Sequence, residues 1–141
     1  MAVVLSVLLA LVGDGATVPT HPPARVGGKI VYFNSPSRNI ACALHDGSAR
    51  CDIRQKDWRP PPQPAWCNLD WGYGLTVDRR GRGRFICAGD SVFGVDRHVL
   101  PYSRSVRQGS VRCTMRMSGV RCINTRSGHG FFLSKEKARL F

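Results

Sequence analysis

From Ile30 to the end of the chain, apolar and polar residues alternate in short runs separated by turn residues. A period of two is typical of β-strands that bury one face. No segment has the three-and-four spacing of apolar residues that marks an amphipathic helix. The pattern therefore predicts a small, single all-β domain built of antiparallel β-hairpins.

The clearest hairpin is NIACALHDGSARCDIR, at residues 39–54. Asp46-Gly47 favours a type I′ turn, because both central residues of that turn need a positive φ. A two-residue loop there places Cys42 directly opposite Cys51, within the reach of a disulfide. The same register predicts one buried face, made of Ile40, Cys42, Leu44, Ala49, Cys51 and Ile53.

A second hairpin is predicted in SVRCTMRMSGVRCINT, where Cys113 and Cys122 have the same spacing as the first pair. A two-residue loop at 118–119 would move these cysteines out of register. We therefore expect a four-residue loop over 116–119, in which Gly119 is free to take a positive φ. The two stapled hairpins look like a weak internal repeat.

The remaining cysteines, Cys67 and Cys87, pair by elimination. Two further strands are expected at residues 71–77 and 84–87, around a turn at residues 78–83. Six cysteines allow 15 pairings, and a metal site is the competing interpretation. Since no C-x-x-C spacing occurs, we favour a disulfide-stabilised domain with no metal and no cofactor.

The chain starts with the apolar run AVVLSVLLALV at residues 2–12. This run is shorter than the roughly 20 apolar residues that span a bilayer, and a polar Gly- and Pro-containing stretch follows it. We interpret residues 1–20 as a signal peptide, 21–28 as a linker and 29–141 as the disulfide-bridged β domain. The alternative is that the run forms a buried strand or helix. The first interpretation, together with paired cysteines, predicts a secreted protein whose mature chain has no transmembrane segment.

Two shorter segments have more than one interpretation. RPPPQP, at residues 59–64, predicts a polyproline II crossing flanked by Trp58, Trp66 and Trp71. These tryptophans either stack on the prolines to close one end of the core or form an aromatic ligand platform. Near the end of the chain, residues 130–134 read as a strand, and we expect Ser134 to cap a short helical turn through Lys137.

Net charge is the strongest functional signal. The chain has 21 basic and 9 acidic side chains, and without residues 1–20 the net charge is +13. Such a charge favours an anionic cell-wall polymer, a nucleic acid or an acidic protein as partner, although a merely solvated surface is the alternative. The densest cluster, and our predicted polyanion site, is Arg79, Arg80, Arg82 and Arg84. If the polar faces of the two hairpins share a side, the cluster extends to Arg50, Arg54, Arg112, Arg116, Arg121 and Arg126.

Catalytic chemistry has less support. A basic chain with several histidines fits a nuclease-type hydrolase that uses His129 with His45 or His98 as acid and base. His129 lies between two glycines, which gives access to its ring but equally shapes a simple turn. No G-x-S-x-G, phosphate loop or dinucleotide motif occurs, and the aspartates are scattered.

Five segments carry a resemblance to a known family: FNSPSRNIAC at 33–42, RCDIRQKDWRPPPQPAWCNLDWGYGL at 50–75, FICAGD at 85–90, LPYSRSVRQGSVRC at 100–113 and GVRCINTRSGHGFFLSKEKARLF at 119–141. Residues 31–141 resemble a family of small secreted actinobacterial proteins known only as a domain of unknown function. The family pattern has a glycine where Arg38 stands. The resemblance implies export, one domain and three disulfides, and it supplies no activity.

From the sequence we therefore expect a secreted, non-catalytic binding domain for an anionic polymer or an acidic partner. A small secreted hydrolase of the nuclease type is the alternative, and an inhibitor or toxin is a third class. The sequence does not fix an oligomeric state.

Overall fold

The computed structural model describes residues 28–141, and these residues contain ten β-strands and no helix. The predicted all-β, disulfide-stabilised fold is confirmed. The strands are β1 (Val31–Asn34), β2 (Ile40–His45), β3 (Ser48–Ile53), β4 (Trp71–Val77), β5 (Arg84–Cys87), β6 (Ser105–Gln108), β7 (Val111–Arg116), β8 (Gly119–Asn124), β9 (Gly130–Leu133) and β10 (Ala138–Leu140).

The strands form two five-stranded antiparallel sheets, and in each sheet neighbours in sequence are neighbours in space. The first sheet contains β1 to β5 and the second sheet contains β6 to β10. The sheets pack face to face, with β3 against β7 and β4 against β8 and β9. Each sheet therefore has an inner face in the core and an outer face directed away from it.

The first hairpin has the predicted geometry. Cys42 lies opposite Cys51, and their disulfide joins Cα atoms 4.1 Å apart. The two turn residues both have positive φ, 49° at Asp46 and 74° at Gly47, which is the type I′ signature. All six apolar residues predicted on one face are buried, so turn chemistry and burial select the same register.

The second hairpin has the predicted register but a shorter loop. Cys113 lies opposite Cys122, and their Cα atoms are again 4.1 Å apart. Residues 117 and 118 alone form the loop, because Arg116 and Gly119 are already paired. The expected four-residue loop is therefore wrong, although it implies the same cysteine register. The positive φ falls on Gly119 at 144°, as expected, so neither loop residue has to adopt one.

The two sheets repeat one construction. In the first sheet, one row of paired residues crosses all five strands through the disulfide of the first hairpin, and a matching row crosses the second sheet. The Sγ atoms of Cys51 and Cys122 approach to 3.7 Å, so the two disulfides stack at the centre of the core. The rows are Phe33–Cys42–Cys51–Leu75–Phe85 and Val106–Cys113–Cys122–Phe131–Leu140.

The third disulfide joins Cys67 and Cys87, which confirms the pairing by elimination. The strands expected at residues 71–77 and 84–87 are β4 and β5. The helical turn expected after Ser134 is wrong, because the chain bends back at once into β10. Ser134 does accept a hydrogen bond from the Lys137 N–H, at 3.1 Å, but that contact closes a strand connection instead of starting a helix.

Arg38, at which the resemblance implies a glycine, has a φ of +60°. The turn before β2 thus has a backbone conformation that suits glycine, with an arginine in it.

The predicted signal peptide at 1–20 and all but the last residue of the predicted linker at 21–28 lie outside the described residues. Within residues 28–141 no helix is long and apolar enough to cross a membrane.

Candidate functional site

The outer face of the first sheet is covered by the segment at residues 88–98. Arg50 on β3 binds Asp52 with two hydrogen bonds of 3.0 Å and binds the Asp90 carboxylate at 3.0 Å. The second carboxylate oxygen of Asp52 also accepts the Val92 N–H at 2.9 Å. Farther along the segment, Arg97 stacks on a β1 tyrosine, 3.6 Å from the ring centroid. The arginines of this face are therefore occupied by the protein's own carboxylates and aromatic rings.

On the outer face of the second sheet no arginine has a carboxylate partner among the described residues, although Arg121 lies over the Phe141 ring, 4.9 Å from its centroid. Alternate residues of β6, β7, β8 and β10 point away from the core, and five of them are arginines. We call this surface the arginine face; it consists of Arg107, Arg112, Arg116, Arg121 and Arg139.

Two members of the arginine face oppose each other directly. Arg107 on β6 is the cross-strand partner of Arg112 on β7. Within residues 28–141 their side chains hydrogen-bond to neutral hydroxyls alone, Arg107 to Thr125 at 3.3 Å and Arg112 to Ser105 at 3.4 Å. Like charges directly opposite on neighbouring strands destabilise a sheet. This face therefore holds a repulsion that folding alone does not explain.

Charge is distributed unequally between the sheets. Residues 28–98 carry 11 basic and 7 acidic side chains, whereas residues 99–141 carry 9 basic side chains and a single acidic one, Glu136. All four ion pairs found within the described residues lie in the first sheet and its loops. The second sheet thus presents a positive potential that no internal carboxylate neutralises.

The arginine loop predicted from the sequence is partly neutralised. Arg79 forms an ion pair with Asp46 in the β2–β3 turn, and Arg84 binds the Asp78 carboxylate at 2.7 Å. Arg80 and Arg82 are exposed and have no carboxylate partner among residues 28–141. Two of the four predicted arginines therefore hold loops together, and two are available to an anion.

Asp78 shapes this loop. One of its carboxylate oxygens accepts the N–H groups of Arg80 at 2.9 Å and Gly81 at 3.1 Å. The Arg80 N–H, the Arg84 side chain and the Gly81 N–H together lower the pKa of Asp78 from 3.8 to about 2. The carboxylate is thus held in its charged form, and it fixes the turn that presents Arg80 and Arg82.

We expect the stabilisation from Asp78 to disappear under acid. Because folding lowers its pKa, the contribution is complete above about pH 4 and is lost as the pH falls towards 2. In the Asp78→Asn variant the free energy of unfolding should depend less on pH between about pH 4 and pH 2 than in the wild type, as measured by urea denaturation at several pH values. An NMR titration of the wild type should place the carboxyl midpoint near 2, and Arg84→Gln should raise it only partway, because the two amide donors remain. A wild-type midpoint close to 3.8 would contradict this account.

The extension of the arginine cluster across both hairpins required their polar faces to share a side. They do not, because the two sheets face each other across the core and their outer faces point in opposite directions. Arg50 belongs to the covered outer face of the first sheet, whereas Arg112, Arg116 and Arg121 belong to the arginine face. The sheets therefore present two separate cationic regions.

The three histidines considered for catalysis occupy different connections. His45 ends β2 at the Asp46-Gly47 turn, whereas the His98 carbonyl accepts the Asn34 N–H at the far end of β1. His129 precedes β9, and its carbonyl accepts the Asn124 N–H. No hydrogen bond joins two of these histidines within residues 28–141. The prediction that His129 acts with His45 or His98 in a nuclease therefore has no support from the hydrogen bonds of the described residues.

One group of potential metal ligands occurs among the described residues. The Sγ atoms of Cys51, Cys113 and Cys122 all lie within 4.8 Å of one another. All three sulfurs are in disulfides, and metal binding by cysteine requires a thiolate. The cluster is therefore the stacked pair of core disulfides.

Sequence reasoning did not identify two members of the arginine face, Arg107 and Arg139. They lie on β6 and β10, which are only four and three residues long and were not predicted as strands. The sequence does contain a signal, since Arg107 alternates with Val106 and Arg139 alternates with Leu140. A two- or three-residue alternation is too short to be distinguished from chance.

Comparison with curated proteins finds no match, and comparison with solved structures also finds none. The sequence does match a protein family over residues 3–141, which is nearly the whole chain. The chain belongs to a family of unknown function (DUF6636).

Proposed function

We propose that the protein is a non-catalytic binding domain and that its arginine face binds an anionic polymer. One observation carries the proposal: Arg107 and Arg112 are placed opposite each other, and neither has an ion-pair partner among the described residues. A bound anion between the two guanidinium groups relieves their repulsion, because each group offers paired N–H donors that match phosphate, sulfate or carboxylate oxygens.

The shape of the face favours a polymer over a small anion. Neighbouring strands lie about 4.8 Å apart, so the five strands of the second sheet span roughly 19 Å. Along one outer row, Arg121 on β8 is two strands away from Arg139 on β10. Arginines spread over such a distance bind several charges of one chain at once, and release of counterions then provides much of the affinity.

We also propose that the protein acts outside the cell, as a secreted actinobacterial protein. The apolar start of the chain supports export, and three disulfides without a free cysteine among the described residues support an oxidising compartment. In this setting the polymer is an anionic cell-wall or extracellular chain.

The test measures binding of linear polyphosphate as a function of salt concentration. Replacing Arg107 and Arg112 together by glutamine should lower the affinity about tenfold at low salt, or roughly 0.7 kcal/mol per arginine. The slope of log affinity against log salt should become shallower by about 1 to 2 units, because two fewer counterions are released.

The matched control is the double variant Arg80→Gln with Arg82→Gln, which removes two exposed arginines from the loop instead. We expect this variant to lose less than the face variant. A larger loss of polyphosphate affinity in the loop variant than in the face variant would assign the binding site to the loop predicted from the sequence. Wild-type binding that does not depend on salt concentration would contradict the proposal. Urea denaturation should show the face variant at least as stable as the wild type, since it removes a like-charge pair.

A further inference from the structure

Trp66 differs from the other two tryptophans. The indole N–H of Trp58 donates to the Ser134 carbonyl at 2.9 Å, and that of Trp71 donates to the Pro61 carbonyl at 2.8 Å. Trp66 remains 69 % exposed, and its N–H has no acceptor within the described residues. Trp58 packs against the core and so supports the expected closing of one end, but this explanation does not extend to Trp66.

The exposed ring is held in place. Cys67, the next residue, is tied by its disulfide to Cys87 on β5, and its N–H donates to the Pro64 carbonyl at 3.0 Å. Trp71, the cross-strand partner of Cys87, meets Trp66 edge to face with ring centroids 5.9 Å apart. Because the disulfide and a second tryptophan already hold the exposed Trp66 indole in place, a ligand that binds it causes only a small loss of side-chain conformational entropy.

Trp66 borders a groove of about 440 Å³, which lies within the usual range of about 300–1,000 Å³ for ligand sites. Apolar groups dominate its lining, with a hydroxyl and a guanidinium among them. The lining includes Trp66, Trp71, Thr76, Arg84, Phe85 and Leu140.

The groove and the arginine face meet at β10. Leu140 lines the groove, whereas Arg139, the preceding residue, belongs to the outer face of the second sheet. Arg84 also lines the groove, but its guanidinium is already paired with the Asp78 carboxylate at 2.7 Å. A chain that crosses the arginine face from β6 towards β10 therefore arrives at an aromatic site.

We propose that this groove binds a sugar ring, and that the polymer on the arginine face is an anionic polysaccharide of the uronic acid type. This inference rests on the proposed function. A pyranose ring offers a C–H face that packs on the Trp66 indole and an oxygen that accepts a hydrogen bond from its free N–H, while the carboxylates of neighbouring sugar units pair with the arginine face.

A polysaccharide fits better than a single-stranded nucleic acid. Proteins that bind single strands stack successive bases on several aromatic rings along a charged path. On the outer face of the second sheet, the aromatic ring in the strands is Phe132, which is only 9 % exposed and has the Lys137 ammonium 5.4 Å from its ring centroid. The strands of the arginine face therefore offer no series of exposed stacking positions among the described residues.

The experiment compares three probes with the full protein: polygalacturonate, which has sugar rings and carboxylates; polyphosphate, which has charge without rings; and single-stranded oligo(dT), which has charge and bases. Trp66→Ala should lower the affinity for polygalacturonate about tenfold and change that for polyphosphate less than twofold. Trp66→Phe should retain most of the polygalacturonate affinity, because a flat ring remains.

The control variant is Tyr73→Ala, which removes an exposed aromatic ring from β4 in the first sheet, away from the arginine face, and should leave all three affinities unchanged. If Trp66→Ala bound polygalacturonate as tightly as the wild type, the sugar site would be overturned. Continued binding of polyphosphate would in that case still support the arginine face as the polymer site. A loss confined to oligo(dT) would assign the groove to bases and overturn the inference. A wild type that binds none of the probes would overturn both proposals.

Discussion

Phe131→Ala should lower the free energy of unfolding by about 3–5 kcal/mol. Phe131 is fully buried and lies opposite Cys122 in the row that crosses the second sheet through its disulfide. Its strand, β9, lies between β8 and β10 and contacts β4 of the first sheet, and its side chain belongs to the core. Truncation removes that apolar area and leaves a cavity that the disulfide beside it keeps from collapsing, since a cross-linked pair of strands cannot move inward freely.

Urea denaturation followed by tryptophan fluorescence gives the measurement. Phe131→Leu keeps most of the volume and should lose only about 1 kcal/mol, which keeps the prediction testable if the alanine variant fails to fold. Met117→Ala, at a loop position that is 86 % exposed, is the control and should change stability by less than about 0.5 kcal/mol. A loss below about 1 kcal/mol for the alanine variant would show that the two sheets do not pack through this row.

Removing either core disulfide should cost about 3 kcal/mol. Both bridges close loops with a sequence separation of 9, and both join Cα atoms 4.1 Å apart. Loop closure in the unfolded chain accounts for most of the effect, and lost contacts between the stacked sulfurs add to it. We therefore expect Cys42→Ala with Cys51→Ala and Cys113→Ala with Cys122→Ala to be destabilised to within about 1 kcal/mol of each other.

The measurement is again equilibrium unfolding in urea, with each double alanine variant compared with the oxidised wild type. The variant Cys67→Ala with Cys87→Ala removes a bridge whose sequence separation is 20 and whose Cys87 side is only partly buried. It should keep the core row intact while it loosens the Trp66 loop. If either core variant matched the wild type within about 1 kcal/mol, the stacked disulfides would contribute little to holding the sheets together.

The first hairpin could be predicted because its information is local. Asp46-Gly47 specifies the turn, the turn specifies the register, and the register places Cys42 opposite Cys51. The second hairpin was predicted less well because its loop residues need no positive φ and so leave no turn signature. The glycine that does take one, Gly119, lies one position outside the loop.

The candidate site depended on information that is not local. Arg79 is neutralised by Asp46, 33 residues earlier in the chain, and Arg50 binds Asp90, 40 residues later, in addition to Asp52 on its own strand. Which arginines remain unpaired follows from how the loops fold over the first sheet, and no spacing in the sequence reveals it. The separation of the two cationic regions likewise follows from sheet packing, since identical hairpin patterns on facing sheets point their polar residues in opposite directions.

Each disulfide in this fold joins two cysteines that are consecutive in the sequence, because each sheet is a simple meander. For a chain that meets an oxidant from its N-terminus onward, the native partner of each unpaired thiol is the next thiol to appear. If cysteines are oxidised in the order in which they become exposed to the oxidant, the native disulfides form directly and no disulfide exchange is needed. A non-native disulfide forms only when a cysteine is still reduced after its native partner has been exposed.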